Sequence, residues 1–233
     1  MKEELDKIDL SGLDIDQIGD DHMFSSIETP MRKDAFALSD DEKIARIETS
    51  FREIMETLGL DLNDDSLSGT PKRVAKMYVK ELFSGLKPEN KPDARVFDNK
   101  YQYGQMLVEK NIRVQSNCEH HFLPILGIAH VAYISSGKVI GLSKINRIVE
   151  YFGKRPQVQE RLTLQIAEEL KRVLNSEDVA VLIDTRHLCV AMRGVQDSSS
   201  STVTTEYSGK FKDKNVRDEF LRYAYAGDPQ NRF

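Results

Sequence analysis

The sequence predicts an α+β domain built on an antiparallel sheet. Strand-like runs rich in β-branched residues are interleaved with long segments whose apolar residues recur at helical spacing. Two of the strand-like runs are joined by a short glycine-containing turn, as in a hairpin. The chain has 233 residues, of which 39% are hydrophobic, so it can form one sizeable domain or a domain with a smaller appendage.

Three sections follow one another along the chain. Residues 1–38 are acidic, poor in aromatic residues and without sustained periodicity, which predicts a flexible N-terminal arm. Residues 39–95 form a predicted helical section, and residues 96–233 form a predicted mixed section that contains the strands.

The helical section begins with a capping box, the sequence SDDE that starts at Ser39. Gly59 ends this first helix, whose apolar face is Ile44, Ile47, Phe51, Ile54, Met55 and Leu58. A second helix is predicted from Thr70 as N-cap, with Pro71 in its first turn, to just before Gly85. The predicted buried face of the second helix is Val74, Met77, Tyr78 and Leu82.

The mixed section contains four predicted strands, which are enough for one sheet. They are residues 127–134, 139–142, 179–183 and 201–207, and the first two form the hairpin-like pair. A long helix is predicted over residues 158–174, where Val158, Leu162, Ile166, Leu170 and Val173 are spaced to bury one face. Another helix is predicted near residues 213–224.

Composition excludes several classes of function. A net charge of −5 argues against a general nucleic-acid-binding protein, although a few local cations could still hold a small anionic ligand. The sequence contains no apolar run near the ~20 residues that a membrane helix needs, and its start lacks the pattern of a secretory signal. We therefore expect a cytoplasmic protein without a membrane partner. In that reducing compartment Cys118 and Cys189 are buried thiols, a metal-binding pair or a nucleophile rather than a disulfide.

A metal site is predicted around the two cysteines. In the sequence CEHH, Cys118 and His121 are three residues apart, so a tight turn can direct both side chains at one ion while His120 points elsewhere. Cys189 follows a predicted strand, and continued extended geometry would place His187, Cys189 and Arg193 on one face.

Together Cys118, His121 and Cys189 form a Cys2His set, and three protein ligands with an open fourth position are typical of catalytic zinc. Two thiolates neutralise Zn²⁺, so the ion acidifies water less and an external acid or base is needed. His187 is placed for that task. The alternative, that these residues are simply buried, stays open on the pattern alone.

Basic and polar clusters add candidate ligand contacts. Ser143 is a possible N-cap, with Lys144 and Arg147 on one helical face, a layout that suits phosphate oxygens. The same spacing recurs in Arg73 and Lys76. Both clusters could equally be solvated helix faces.

Two neighbouring residues at the start of the long helix are also candidates. Glu160 is favoured there by the helix dipole alone, yet a carboxylate beside the amide of Gln159 can also recognise adjacent N–H donors on a purine edge.

Four blocks of sequence, taken in order, closely resemble the GTP cyclohydrolase I family. They are TPKRVAKMY from Thr70, SNCEHHFLP from Ser116, the long block GLSKINRIVEYFGKRPQVQERLTLQIA from Gly141, and HLCVAMRGV from His187. The resemblance covers the chain from about Ser39 to its C-terminus, and the motif positions show no departure. It implies a tunnelling-fold subunit, with a four-stranded antiparallel sheet and paired antiparallel helices, that assembles into a homodecamer with active sites at subunit interfaces.

The resemblance also implies a reaction and residue roles. GTP would be hydrolysed at C8 of its guanine ring, formate released and the product rearranged to 7,8-dihydroneopterin triphosphate. One Zn²⁺ per subunit would be held by Cys118, His121 and Cys189. The implied catalytic residues are His187, as proton donor, with His120 and Ser143. The implied guanine contacts are Glu160 and Gln159, and the implied triphosphate contacts are Lys144, Arg147, Arg193, Arg73 and Lys76.

Three rival functions remain at this point. A related tunnelling-fold nitrile reductase would use a cysteine nucleophile and bind NADPH, but the chain has no dinucleotide-binding fingerprint. A zinc-stapled interaction module would need a fourth protein ligand, for which His120 is the candidate. A regulatory GTP-binding protein without chemistry would tolerate the loss of His187.

Overall fold

The computed structural model describes residues 27–226. The flexible arm predicted for residues 1–38 lies mostly outside these residues. The helices are α1 (Asp40–Thr57), α2 (Thr70–Met77), α3 (Leu142–Gly153), α4 (Gln159–Leu174), α5 (Leu188–Ala191) and α6 (Lys214–Tyr225). The strands are β1 (Val96–Asp98), β2 (Met106–Cys118), β3 (Pro124–Ile134), β4 (Lys138–Ile140), β5 (Pro156–Gln157), β6 (Val179–His187) and β7 (Thr202–Tyr207).

The main sheet has five strands in the order β5-β2-β3-β6-β7. Strands β2, β3, β6 and β7 pair antiparallel with their neighbours, whereas the two-residue strand β5 pairs parallel with the end of β2. The β2–β3 register shifts between Glu109 and Ile112, where Asn111 adopts a left-handed backbone conformation with φ 58°. The predicted α+β class with an antiparallel sheet is therefore confirmed.

The predicted hairpin between residues 127–134 and 139–142 is wrong. Strand β4 pairs with β1 in a separate two-stranded sheet, with Val96 opposite Ile140. The connection is redirected at Gly137, whose φ of +116° suits a residue without a Cβ, and Ser135 bonds across this turn. The fourth long strand of the main sheet is instead β2, which was not predicted. In the middle of this strand the buried residues Ile112 and Val114 alternate with the exposed polar residues Arg113 and Gln115.

The N-terminal helical section follows its prediction closely. The capping box of α1 is present, since the backbone N–H of Glu42 donates to Ser39 Oγ and that of Ser39 donates to Glu42 Oε2. The N-cap of α2 is Gly69 rather than the predicted Thr70, which is already helical. A π-helical segment, Tyr78–Leu82, continues α2, and Gly85 lies in the 3-10 turn Ser84–Leu86 that follows.

The predicted faces of the two N-terminal helices are only partly buried. Ala75 and Val79 are buried against Ile44 of α1. The residues expected on the buried face of the second helix, Val74, Met77, Tyr78 and Leu82, are half-buried.

The main core lies between one sheet face and helices α3 and α4. Leu162, Ile166 and Leu170 of α4 are fully buried there, as their spacing predicts. Alternate residues of the same strands, including Ala132 and Leu182, face the other side, where Phe220 of α6 packs against them. The helix predicted near residues 213–224 is thus confirmed as α6, with Asp213 as its N-cap. Among the described residues, no helix is long and apolar enough to cross a membrane.

We expect Gly85→Ala to destabilise the contact between the helical section and the main domain. The Gly85 N–H donates to Lys154 O and its carbonyl accepts from Arg155 Nε, so the backbones are in close contact. An added Cβ would lie 2.0 Å from Tyr151 O, and backbone cannot move aside easily. The expected loss is about 1–3 kcal/mol of unfolding free energy, measured by urea denaturation. The control is Gly104→Ala, whose Cβ would lie 4.0 Å from its nearest atom; equal stability of the two variants would contradict the prediction.

Candidate metal centre and active site

Three segments of the chain meet at one end of the main sheet. Strand β2 ends at Cys118, and β6 ends at His187. Strand β3 lies between them and pairs Ile125 with His187, while β5 pairs Gln157 with Cys118 immediately before α4 begins. The end of β2, the end of β6 and the start of α4 therefore supply side chains to one place.

The predicted metal ligands form a cluster. The ligand atoms of Cys118, His121 and Cys189 all lie within 4.8 Å of one another, and Cys118 Sγ lies 3.8 Å from His121 Nδ1. Two sulfurs at ~2.3 Å and a nitrogen at ~2.0 Å from one tetrahedral zinc ion would have similar separations. The cluster could therefore hold a metal ion with little rearrangement.

A tight turn brings His121 to Cys118. The Phe122 N–H donates to Cys118 O at 2.8 Å, and the Cys118 N–H donates to Leu123 O at 2.8 Å. Phe122 closes the turn in a left-handed conformation with φ 54°. His120 lies on the same turn, and its Nδ1 is also 3.8 Å from Cys118 Sγ.

The route by which Cys189 reaches the cluster differs from the prediction. Extended geometry does not continue past His187, because α5 begins at Leu188 and places Cys189 in a helical turn. The alternation argument for a shared face is therefore wrong. The same residues still converge, since Arg193 Nη1 lies 2.8 Å from His121 Nε2.

The two thiols influence each other. Burial, together with the neighbouring Cys118 thiol, raises the pKa of Cys189 to about 11. In the absence of a metal ion, Cys189 is thus protonated at neutral pH. A bound cation would displace that proton, because a coordinating thiol is held as thiolate.

The cluster opens into a cavity of about 600 Å³. Its lining includes His120, His121, Glu160, His187, Cys189 and Arg193. Burial lowers the pKa of His187 below its usual range, and the nearby Glu160 carboxylate partly opposes this effect. His187 is consequently a neutral imidazole at pH 7, able to take up a proton.

The other side chains predicted to contact the substrate do not all line this cavity. Gln159 is buried beneath His187, whose Nε2 lies 2.7 Å from Gln159 Oε1. Within residues 27–226, the lining of this cavity does not include Ser143, Lys144, Arg147, Arg73 or Lys76. Arg147 lines a separate cavity beside Tyr151.

Within the basic clusters, the predicted N-cap role of Ser143 is wrong. Arg73 donates to Ser66 O and Thr70 Oγ1 within its own section. Ser143 is the second residue of α3 and not its N-cap, which is Gly141.

A buried ion pair beside the metal turn was missed in the sequence. Arg161 is only 5% exposed, and its guanidinium bonds both oxygens of Glu119, the residue after Cys118. The sequence does contain one sign of this ion pair: Arg161 is a charged residue at a position of the helix where the spacing would place a core residue. This bidentate contact ties the CEHH turn to the first turn of α4.

An α+β domain whose Cys2His cluster opens into a cavity with a neutral histidine is typical of proteins with a catalytic metal, since a structural zinc site is closed by four protein ligands. Comparison with known proteins identifies the family. The sequence profile described as GTP cyclohydrolase I matches residues 47–225. The chain therefore belongs to the GTP cyclohydrolase I family, as the resemblance predicted.

Relatives named GTP cyclohydrolase 1 are similar along most of their length. The protein from Flavobacterium johnsoniae is 62% identical over 209 residues, which cover 90% of this chain and 94% of that protein. The protein from Aeromonas salmonicida is 54% identical over 196 residues, covering 84% of this chain and 89% of that one. A third, from Vibrio parahaemolyticus, is 54% identical with the same coverage.

We expect the purified chain to bind one Zn²⁺ through this cluster. Replacing Cys118, His121 or Cys189 by alanine should weaken zinc binding on the order of 100-fold or more, because each ligand carries a large share of a binding free energy of ~10 kcal/mol or more. The measurement is competition titration with a chromophoric zinc chelator. His120→Ala is the matched control and should bind zinc like the unaltered protein; a loss of affinity there equal to that of His121→Ala would contradict the assigned ligand set.

Proposed function

We propose that the chain hydrolyses GTP at C8 of the guanine ring, releases formate and forms 7,8-dihydroneopterin triphosphate, a first step toward folate-type or other pterins. The observation that carries this proposal is the Cys118, His121 and Cys189 cluster in one cavity with His187. Membership of the GTP cyclohydrolase I family supports it.

The donor set of the cluster suits zinc. Two thiolates and an imidazole are common zinc ligands, and three protein ligands leave a fourth position open. Bound Zn²⁺ would supply a Lewis acid that makes water more acidic. The reaction also needs protons to move between water and the guanine ring. Side chains of this chain are proposed to carry them.

His187 is the proposed proton carrier. It is neutral at pH 7 because burial lowers its pKa, so it can accept a proton when water adds at C8 and return it to the nitrogen that leaves. His120 lines the same cavity and is proposed to assist. Ser143 is proposed to contact the ribose during the later rearrangement.

Recognition of guanine is assigned to Glu160. This carboxylate lines the cavity at the first turn of α4 and can accept hydrogen bonds from N1–H and the 2-amino group. The family resemblance also assigns Gln159 to guanine, although its side chain is only 2% exposed and its amide is already bonded within the chain.

The positions of the proposed triphosphate contacts support an oligomer. Arg193 lines the cavity, but one cation is few for a tetra-anionic substrate. The other proposed triphosphate contacts, Lys144, Arg147, Arg73 and Lys76, are not on this cavity within one chain. A neighbouring subunit could supply them, which is consistent with the proposed homodecamer and its active sites at subunit interfaces.

One rival function has a specific observation in its favour. His120 Nδ1 lies as close to Cys118 Sγ as His121 Nδ1 does, at 3.8 Å, so His120 is the side chain that could close a four-ligand structural zinc site. A zinc-stapled interaction module would use it in that way.

We expect the zinc-loaded protein to convert GTP to a dihydropterin, seen by its ultraviolet absorption, with release of formate. His187→Ala should still bind zinc and GTP but lose product formation by at least about 100-fold, because general acid–base catalysis contributes 10²–10⁴-fold. Unaltered turnover in His187→Ala would support a different proton carrier, and loss of zinc from this variant would overturn the assigned role. Absence of product from the unaltered zinc-loaded oligomer would reject the proposed function itself.

A further inference from the structure

Gln159 is the first residue of α4 and is almost completely buried. Its side chain makes four hydrogen bonds, all to groups of the same chain. A side-chain amide has two N–H donors and an oxygen with two lone pairs, so these four bonds use its full capacity. The side chain of Gln159 therefore has no hydrogen-bonding group left for guanine.

The orientation of the Gln159 amide follows from the chemistry of its partners. One end of the amide lies 3.1 Å from Ile183 O and 2.8 Å from Thr202 O. Both partners are carbonyl oxygens, which only accept, so this end must be the NH2 group. The opposite orientation would place three oxygens together without a hydrogen atom between them.

The amide oxygen must then face the other two partners. Thr185 Oγ1 donates to it at 2.6 Å, and His187 Nε2 lies 2.7 Å from it. Because Gln159 Oε1 is an acceptor only, the His187 nitrogen can make this bond only if it carries the hydrogen atom. In its uncharged form the imidazole of His187 is thereby held as the Nε2–H tautomer.

We propose that Gln159 is a positioning residue that fixes the tautomer and ring orientation of His187, and that His187 Nδ1 is the atom that exchanges protons with the substrate. The inference about the reaction rests on the proposed function. The water oxygen bonds C8 while Nδ1 takes one water proton and gives it to one of the two ring nitrogens bonded to C8. When the bond from C8 to the other nitrogen breaks, the C8 hydroxyl becomes a formyl carbonyl and Nδ1 carries its proton to that nitrogen. The Nε2–H bond to Gln159 is kept throughout. Without that bond, the imidazole can also carry its hydrogen on Nδ1, and Nδ1 then cannot accept a proton.

Two strands anchor this arrangement. Thr185 and Thr202 are directly opposite each other in the β6–β7 ladder, and both bond the Gln159 amide. The amide orientation is thus set by the sheet and not by the substrate. A purely structural role, tying α4 to these strands, would use the same two contacts, so the test must distinguish the two roles.

The kinetic test compares Gln159→Met with Gln165→Met in the full-length, zinc-loaded protein. Gln165 is also a buried glutamine of α4, but it bonds Gln157 and Ile27 O rather than His187. We expect Gln159→Met to lower kcat about 10–100-fold, the range typical for loss of a residue that orients a catalytic or metal-binding histidine. Its dissociation constant for GTP and its zinc content should stay within about twofold of the unaltered protein. Gln165→Met should keep both kcat and GTP affinity.

The outcomes separate the roles clearly. A weaker GTP affinity with unchanged kcat in Gln159→Met would overturn the proposal and return Gln159 to a substrate contact. Equal losses of kcat in the two methionine variants would assign Gln159 a structural role only. Thr185→Val keeps the Gln159–His187 bond, so a kcat as low as that of Gln159→Met would also contradict the proposal.

A spectroscopic measurement on the unaltered protein depends neither on turnover nor on the folding of a Gln159 variant. Solid-state NMR of ¹⁵N-histidine-labelled protein, with the His187 signals assigned by their loss in His187→Ala, reports which ring nitrogen carries hydrogen. We expect a protonated Nε2 and an unprotonated Nδ1 at neutral pH. A hydrogen on Nδ1 alone would overturn the inference even if GTP is converted, whereas the expected tautomer without any product would leave the inference standing and reject only the proposed function.

Discussion

The pairing of β3 with both of its neighbours is the constraint on which the site depends. Strand β3 aligns the end of β2, which carries Cys118, with the end of β6, which carries His187. Side chains alternate between sheet faces, so a slip of one residue in either ladder would turn one of these groups to the opposite face. The core residues on both faces of the sheet oppose such a slip.

The first turn of α4 completes the site with three consecutive side chains that have different tasks. Gln159 and Arg161 are buried and bond His187 and Glu119, respectively, whereas Glu160 faces the cavity. Each buried side chain therefore orients a residue adjoining the metal cluster. A polar group buried in this way is costly unless it is fully bonded, and both are bonded to named partners.

Local sequence signals predicted much of this arrangement. The capping box at Ser39, the long helix and the Cys2His set were all predicted, because each depends on spacing within a few residues or on ligand chemistry. Strand β4 was paired wrongly and the helical turn at Cys189 was missed, because both depend on contacts distant in sequence. The role of Gln159 was equally hidden, since its partners Thr185 and Thr202 lie on strands that only the folded sheet brings together. Residues that a neighbouring subunit would contribute cannot be placed by the spacing of one chain.

The central claim is that the Cys118, His121 and Cys189 cluster holds a catalytic metal ion and not a structural one. The most direct test removes the metal with a chelator and follows GTP conversion and thermal unfolding in the same sample, followed by addition of Zn²⁺. The account predicts that conversion is lost and then restored by zinc, while the protein stays folded throughout, because the sheet core does not depend on the ion. Unfolding of the chain on chelation, with conversion lost only as a consequence, would contradict it.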